Sequence, residues 1–242
     1  MKTKDLLVPS VMVFVALFNA SCFFELNAIS GKGSIVSETR EAKDFTAIEL
    51  QTAADVEVVK GDSFQVNVSD YENLIQYLTV EVAGNRLIIK KEPGSVNLWN
   101  SKAKVTVTLP ALYSLKLSGS GNMNVRSPFN NLQSLMVLGS GNIGITSNCQ
   151  LSQLEAQVTG SGNIDAVGTV DELTTKISGS GNIHFAGLKA KNATCTVSGS
   201  GNMYVFIENQ LDVYLSGSGD IVYYGTPVVN SYVSGSGRVY HK

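Results

Sequence analysis

Seven times between residues 118 and 239 the chain repeats one short turn. Ser118-Gly119-Ser120-Gly121-Asn122-Met123 returns at 138–143, 159–164, 178–183, 198–203, 216–221 and 234–239, with Asp220 and Arg238 replacing Asn in the last two. The first glycines stand at 119, 139, 160, 179, 199, 217 and 235, a period of 18 to 21 residues. A unit that short cannot bury an apolar side alone. Stacked units can, because each strand then pairs with its equivalent in the next coil. The flanking residues fit that picture. Leu117, Val137, Val158, Ile177, Val197, Leu215 and Val233 hold one aligned apolar position before the turn, and Met123, Ile143, Ile164, Ile183, Met203, Ile221 and Val239 hold one after it. Apolar residues alternate with polar ones on both sides, the signature of strands with one inward face.

The expectation is an all-β parallel β-helix, or β-solenoid, with about 20 residues per coil. A meander barrel explains the alternation but not the recurrence of one corner chemistry in register. The corner glycines are expected to supply positive φ, and Ser and Asn side chains to bond between coils. At about 4.8 Å per coil the repeated part makes a rod of roughly 30 Å. The last coil shows no cap in the sequence, which predicts either a covering loop or a dimer contact over its unpaired strands.

Residues 41–117 read as irregular strands in the same domain as the repeats at 118–239. Residues 45–50, 54–59, 64–68 and 104–109 alternate as strands. Residues 79–82 and 86–90 flank Gly84-Asn85 as a hairpin, so strand-rich N-terminal coils with a hairpin precede the repeat. Leu74, Ile75 and Leu78 fall at helical spacing and predict a helical turn or two. Residues 91–101, with Pro93 and Gly94, form a loop that carries Trp99, expected to fold over the sheet. Residues 23–40 read as a tether leading into a first strand.

The chain opens with an export signal at residues 1–22. Lys2 and Lys4 precede the apolar run 6–18, which is too short for a spanning helix. Ala20-Ser21-Cys22 resembles the end of a bacterial lipoprotein signal, which implies lipidation of Cys22. Asn19 departs from the usual aliphatic residue, and ordinary cleavage is the alternative. Cys149 and Cys195 lie more than two repeats apart, roughly 10 Å or more between Cα atoms at strand spacing. That exceeds the reach of a disulfide, so two free thiols are expected, with Cys195 buried.

Composition narrows function more than it specifies it. Net charge is −2 with 16% charged residues, which argues against a nucleic-acid partner. Gly-Ser-Gly-Asn resembles a phosphate cradle only loosely, since no Lys-Ser/Thr and no helix follow. No cofactor is implied. Asp55, Glu57, Asp62, Asp70 and Glu72 form a loose acidic set, expected on solvent faces. Glu155, Asp165, Asp171, Glu172, Glu208 and Asp212 are scattered over the repeats, with no two at matched positions in successive coils. His184 and His241 read as surface residues. No catalytic or metal-binding constellation emerges.

Residues 33–40, 45–50, 55–62 and the Ser-Gly-Ser-Gly-Asn series resemble the family described as putative auto-transporter adhesin, head GIN domain, a domain of unknown function found mostly in Bacteroidetes-type bacteria. The resemblance covers residues 33–239. It implies a fold similar to the pectate-lyase-like β-helices and an adhesin-like role, and it carries over no binding residue. The combined expectation is a non-catalytic module of the cell envelope, at the outer membrane or cell surface, that binds a glycan or an envelope or host surface protein. Homo-oligomers through the open coil end are a further expectation. A periplasmic structural protein and a carbohydrate-active β-helix enzyme are the alternatives.

Overall fold

The structure is a computed structural model and describes residues 28–92, 94 and 97–242. Among these the chain is all-β, with one 3₁₀ turn at Ile75–Tyr77 and no α-helix. The strands are β1 (Ala28–Ser30), β2 (Ile35–Arg40), β3 (Ala47–Leu50), β4 (Asp55–Lys60), β5 (Gln65–Tyr71), β6 (Leu78–Ala83), β7 (Arg86–Lys91), β8 (Asn97–Trp99) and β9 (Lys104–Leu109). The repeats supply β10 (Ser114–Leu117), β11 (Asn122–Val125), β12 (Ser134–Val137), β13 (Ile143–Val158), β14 (Ile164–Ile177), β15 (Ile183–Val197), β16 (Met203–Leu215), β17 (Ile221–Tyr224), β18 (Val228–Val233) and β19 (Val239–His241). Every pairing from β10 onward is parallel and one coil apart, so the fold is a β-solenoid.

The inward residues form continuous columns. Register aligns Ile48, Leu115, Leu135, Ala156, Thr175, Cys195 and Val213 before the corner, and Val56, Met123, Ile143, Ile164, Ile183, Met203 and Ile221 after it. All of them are buried. A third face adds Phe129, Leu151, Val170, Leu188 and Ile207 to the same core. At about 25 cal/mol per Å² of apolar surface removed from water, such columns supply most of the favourable free energy. One polar residue interrupts them. Thr175 satisfies its hydroxyl on Met203 Sδ at 3.0 Å.

Sequence order and spatial order part company at the N-terminal end. β3 and β4 pair with β10 and β11 on one side and with β7 and β9 on the other. The coil made last in sequence before the repeats, residues 86–109, therefore lies beneath the coil at 47–60. A buried carboxylate ties these layers. Glu49 on β3 accepts from Arg86 on β7 at 3.1 Å, pairs with Lys116 on β10 at 3.1 Å, and accepts from Gln51 at 2.9 Å. Burial pushes this carboxyl up, but Gln51, Lys116 and Arg86 together outweigh it and leave Glu49 below the usual carboxylate range.

The corner glycines serve a purpose other than the expected one. None of the corner glycines lies in the left-handed region; positive φ occurs at Gly33, Gly84, Gly94, Gly168 and Gly225 instead. A Cβ on Gly141 or Gly162 would collide with the carbonyl oxygen of Gly121 or Gly141 in the coil beneath. A Cβ on Gly160 would likewise meet the Gly139 carbonyl oxygen, which accepts the Ser161 N–H across the corner at 3.1 Å. The glycines are there because backbone stacks directly on backbone.

The two ends differ. At the N-terminal end β5 pairs antiparallel with β9, β2 with β5, and β6 with β7, so antiparallel strands cover the first coil. At the other end β18 and β19 each pair on one side only among the described residues. No covering loop is present there among the described residues.

Candidate functional site

Each corner asparagine sets its side chain on the outer surface, where the stacking repeats it. Asn142 Nδ2–H donates to Asn122 Oδ1 at 3.0 Å, Asn163 to Asn142 at 2.8 Å and Asn182 to Asn163 at 2.9 Å. Each Oδ1 also accepts the backbone N–H of the next corner, on through Asn202 and Asp220. The amide N–H groups all point toward the first coil and the oxygens toward the last. The ends of this ladder carry matching charge. Asn122 donates to the Asp55 carboxylate at 2.9 Å, and at the far end Arg238 closes on Asp220 at 2.7 Å. Hydrogen bonds from the Arg238 side chain and backbone hold the Asp220 carboxyl below its ordinary range. The two departures from Asn thus occupy the place where aligned amide dipoles expose their oxygen end.

Beside this ladder runs a second outward row, two residues after each corner. It comprises Thr106, Glu57, Asn124, Gly144, Asp165, His184, Tyr204, Val222 and Tyr240 in spatial order, of which Val222 is buried. Gly144 leaves a gap in the row, and a groove of about 730 Å³ opens over it. Its walls are amides and charges: Asp55, Glu57, Asn122, Asn124 and Arg126 on one side, Asn142, Asn163 and Asp165 on the other, with Lys104 at one end. Arg126 holds Glu57 at 3.0 Å. The Asn124 amide makes no side-chain hydrogen bond among the described residues. Beyond Asp165 the row turns aromatic. His184 Nδ1 lies 3.1 Å from Asp165 Oδ1 and the His184 ring lies 5.4 Å from Tyr204. A groove lined by amides and carboxylates, with the Asn124 amide unengaged and the His184 and Tyr204 rings beyond Asp165 on the same face, suits a neutral, hydroxyl-rich ligand.

The residues singled out from sequence fall as follows. Asp55, Glu57, Asp165 and His184 come together along this face. Asp70 does not lie on a solvent face. It is buried, accepting from Ser101 Oγ at 2.6 Å, Lys102 N–H at 2.7 Å and Tyr71 N–H at 2.8 Å, and so fixes the loop that leads into β9. Asp62 and Glu72 are exposed. Trp99 does not fold over the sheet either; it is 71% exposed on β8, which pairs with β1. Glu155 stands opposite Thr174, Glu172 between Gln153 and Asn192, and Asp212 opposite Thr194, away from the groove. Asp171 is tied to Lys191 at 2.7 Å, and Glu208 lines a separate shallow depression with both. His241 bonds the Gly225 carbonyl at 2.8 Å. Cys149 and Cys195 are free and buried, and burial raises both thiols above their ordinary range, that of Cys195 to about 12, which disfavours the reactive thiolate. Cys22 lies outside the described residues. No group of three or more His, Cys, Asp or Glu able to hold a metal ion occurs among the described residues, and none of their helices is long and apolar enough to cross a membrane.

The model of the family described as putative auto-transporter adhesin, head GIN domain matches residues 44–227. The chain belongs to this family. Solved structures share the fold. A putative adhesin from Bacteroides fragilis NCTC 9343 superposes with a TM-score of 0.79 at 21% identity, over 88% of this chain and 100% of that one. A putative adhesin from Parabacteroides distasonis ATCC 8503 gives 0.69 at 25% identity, over 89% and 100%. A putative lipid binding protein from the same organism gives 0.68 at 25%, over 88% and 99%. No curated protein matches the chain. The GIN-head match takes in the whole groove and stops just before β18.

Proposed function

We propose that the protein is an exported, non-catalytic adhesin of the cell envelope, and that the groove over Gly144 binds a glycan. The observation that carries this reading is the row in which the unengaged Asn124 amide, the Asp165 carboxylate and the His184 and Tyr204 rings follow one another along the rod axis. Pyranose rings present hydroxyls at their edges and C–H faces above and below, and the row offers a partner for each. The family name and the adhesin-named relatives point the same way.

The carboxylates favour binding over hydrolysis. Asp165 sits three strands from Asp55 and Glu57, roughly 14 Å at about 4.8 Å per strand, whereas a hydrolytic pair stands about 5 to 9.5 Å apart. Asp55 and Glu57 are each engaged by a side chain of the next coil. The export signal at residues 1–22, with Cys22 as lipid attachment, would place the rod on the envelope with its capped end toward the membrane.

A glycan array followed by titration calorimetry tests the site. Asn124→Ala and Tyr204→Ala should each weaken the best glycan about tenfold or more, about 1.4 kcal/mol, while leaving the circular dichroism spectrum unchanged. Absence of any glycan ligand, or binding indifferent to both substitutions, overturns the reading. Protease shaving of intact cells tests location, since release of the domain requires that it face outward.

A further inference from the structure

The two ends of the rod handle their free strand edges in opposite ways. The outermost strands at the capped end carry charges, Glu38 and Arg40 on β2 and Glu81 on β6, the usual means of discouraging edge pairing. The outermost strands at the open end carry none. β18 reads Val-Val-Asn-Ser-Tyr-Val and β19 reads Val-Tyr-His. Val228 is 69% exposed, Tyr232 63% and Val233 48%. The Tyr232 ring stacks on Tyr214 at 5.3 Å, which extends the apolar rim onto the coil below. Val229 and Val239, the last members of two core columns, are only partly covered.

The unpaired backbone groups can be assigned. Ser234 N–H donates inward to Leu215 O and Lys242 N–H to Tyr223 O. Strand alternation then aims the amides of Val229, Ser231 and Val233, and of Val239 and His241, out of the open end. Two edges on two faces of one coil are presented together. A single extended peptide can pair with one of them, while a partner that satisfies both must bring two edges at the same angle.

We propose that this partner is a second copy of the chain, docked tip to tip about a two-fold axis. Within the sheet of the solenoid, among the described residues, the open tip alone offers two edges whose strands carry no Asp, Glu, Lys or Arg, since the free edges of β2 and β6 at the capped end are charged. A two-fold across the tip makes every new pairing antiparallel. The capped end bars head-to-tail growth, so association stops at a closed dimer. Residue 28 enters at the capped end, where Asn73 Nδ2 bonds Ser30 O and β1 pairs with β8. The upstream segments of the two copies therefore leave at opposite ends of the doubled rod. On the envelope, this geometry joins molecules on facing surfaces rather than neighbours on one.

Sedimentation velocity on the purified protein up to about 100 µM, within the weak range of specific association, should show a monomer–dimer equilibrium and no larger species. Ser231→Pro removes an outward donor and sets a ring on the edge without touching the bonds from β18 to β16. Ser231→Lys puts a charge on the exposed cross-section. Each should raise the dissociation constant about tenfold or more while keeping the parent circular dichroism, and Ser231→Ala should not. If the proline unfolds the last coil, the lysine variant decides. A parent that stays monomeric, a ladder of higher species, or a dimer that persists unchanged in folded Ser231→Lys overturns the proposal. None of these outcomes depends on the glycan groove, so the two readings stand or fall separately.

Discussion

The corner at residues 51–55 and the corners that follow hold the same position in the coil yet use opposite residues. Gln51-Thr52-Ala53-Ala54-Asp55 leads from β3 into β4, as Ser118-Gly119-Ser120-Gly121-Asn122 leads from β10 into β11. Thr52 and Ala54 carry a Cβ where Gly119 and Gly121 cannot. The reason lies underneath. Gly119 and Gly121 rest on the carbonyls of Thr52 and Ala54. Below Thr52 and Ala54 the described residues form no matching corner; β7 ends at Lys91, β9 begins at Lys104, and a small cavity of about 210 Å³ lies there. The turn itself therefore tolerates a side chain. What demands glycine is a second backbone stacked directly beneath.

That contrast can be broken. Gly162→Ala forces a Cβ into the Gly141 carbonyl and should destabilise the protein by about 3–5 kcal/mol, or prevent folding. Ala54→Gly at the first corner should cost only about 0.5–1 kcal/mol, from added chain entropy in the unfolded state. Urea titration of both variants checks the pair, and equal losses would refute the stacking explanation.

The first layers lean on ion pairs where the later ones lean on amides. Glu49→Ala leaves Arg86 and Lys116 without their shared carboxylate. Their own partial exposure softens the loss to about 2–3 kcal/mol, below the usual cost of breaking a buried pair. Because the folded-state pKa of Glu49 is lowered, its contribution is complete above the ordinary carboxylate range. It disappears as pH falls through the lowered value. Thermal melts of parent and Glu49→Gln should thus converge on acidification. Further along, Asn163→Ala cuts the ladder at its middle, removing one bond to Asn142 and two from Asn182, and should cost about 1–2 kcal/mol because water replaces part of them at this partly exposed site. Smallest of all, Arg238→Ala at the rim should leave the denaturation midpoint unchanged within error in physiological salt. Any effect should fade further as salt is raised.

Much of this architecture was legible in the chain because each coil reports on its neighbours. Once the corners are aligned, Leu117, Val137 and Val158 can only face the same core. The row at the groove was equally available. Asn124, Gly144, Asp165, His184, Tyr204, Val222 and Tyr240 each follow their corner residue by two places, and aligning that position would have drawn them together. What hid the groove is that its defining feature, Gly144, is an absence of side chain, and that Glu57 and Thr106 belong to coils without the glycine corner. The inverted stacking of 86–109 beneath 47–60 left no mark for the same reason. Trp99 was misplaced because it sits in the irregular segment near β8, where period-two alternation carries no information, whereas Asp70 continues the buried alternation of Val66 and Val68 on β5 and its charge hid that. The corner glycines misled in a different way, since close approach and positive φ ask for the same residue.

Because each corner sits on the one before it, the reach of the rod is a whole number. Adding or removing residues between equivalent glycines lengthens or shortens it by one coil, about 4.8 Å, and presents the same edge at the tip. A change of any other size throws the asparagines, the inward columns and the outward row out of phase at once. Length in this protein can drift only in quanta.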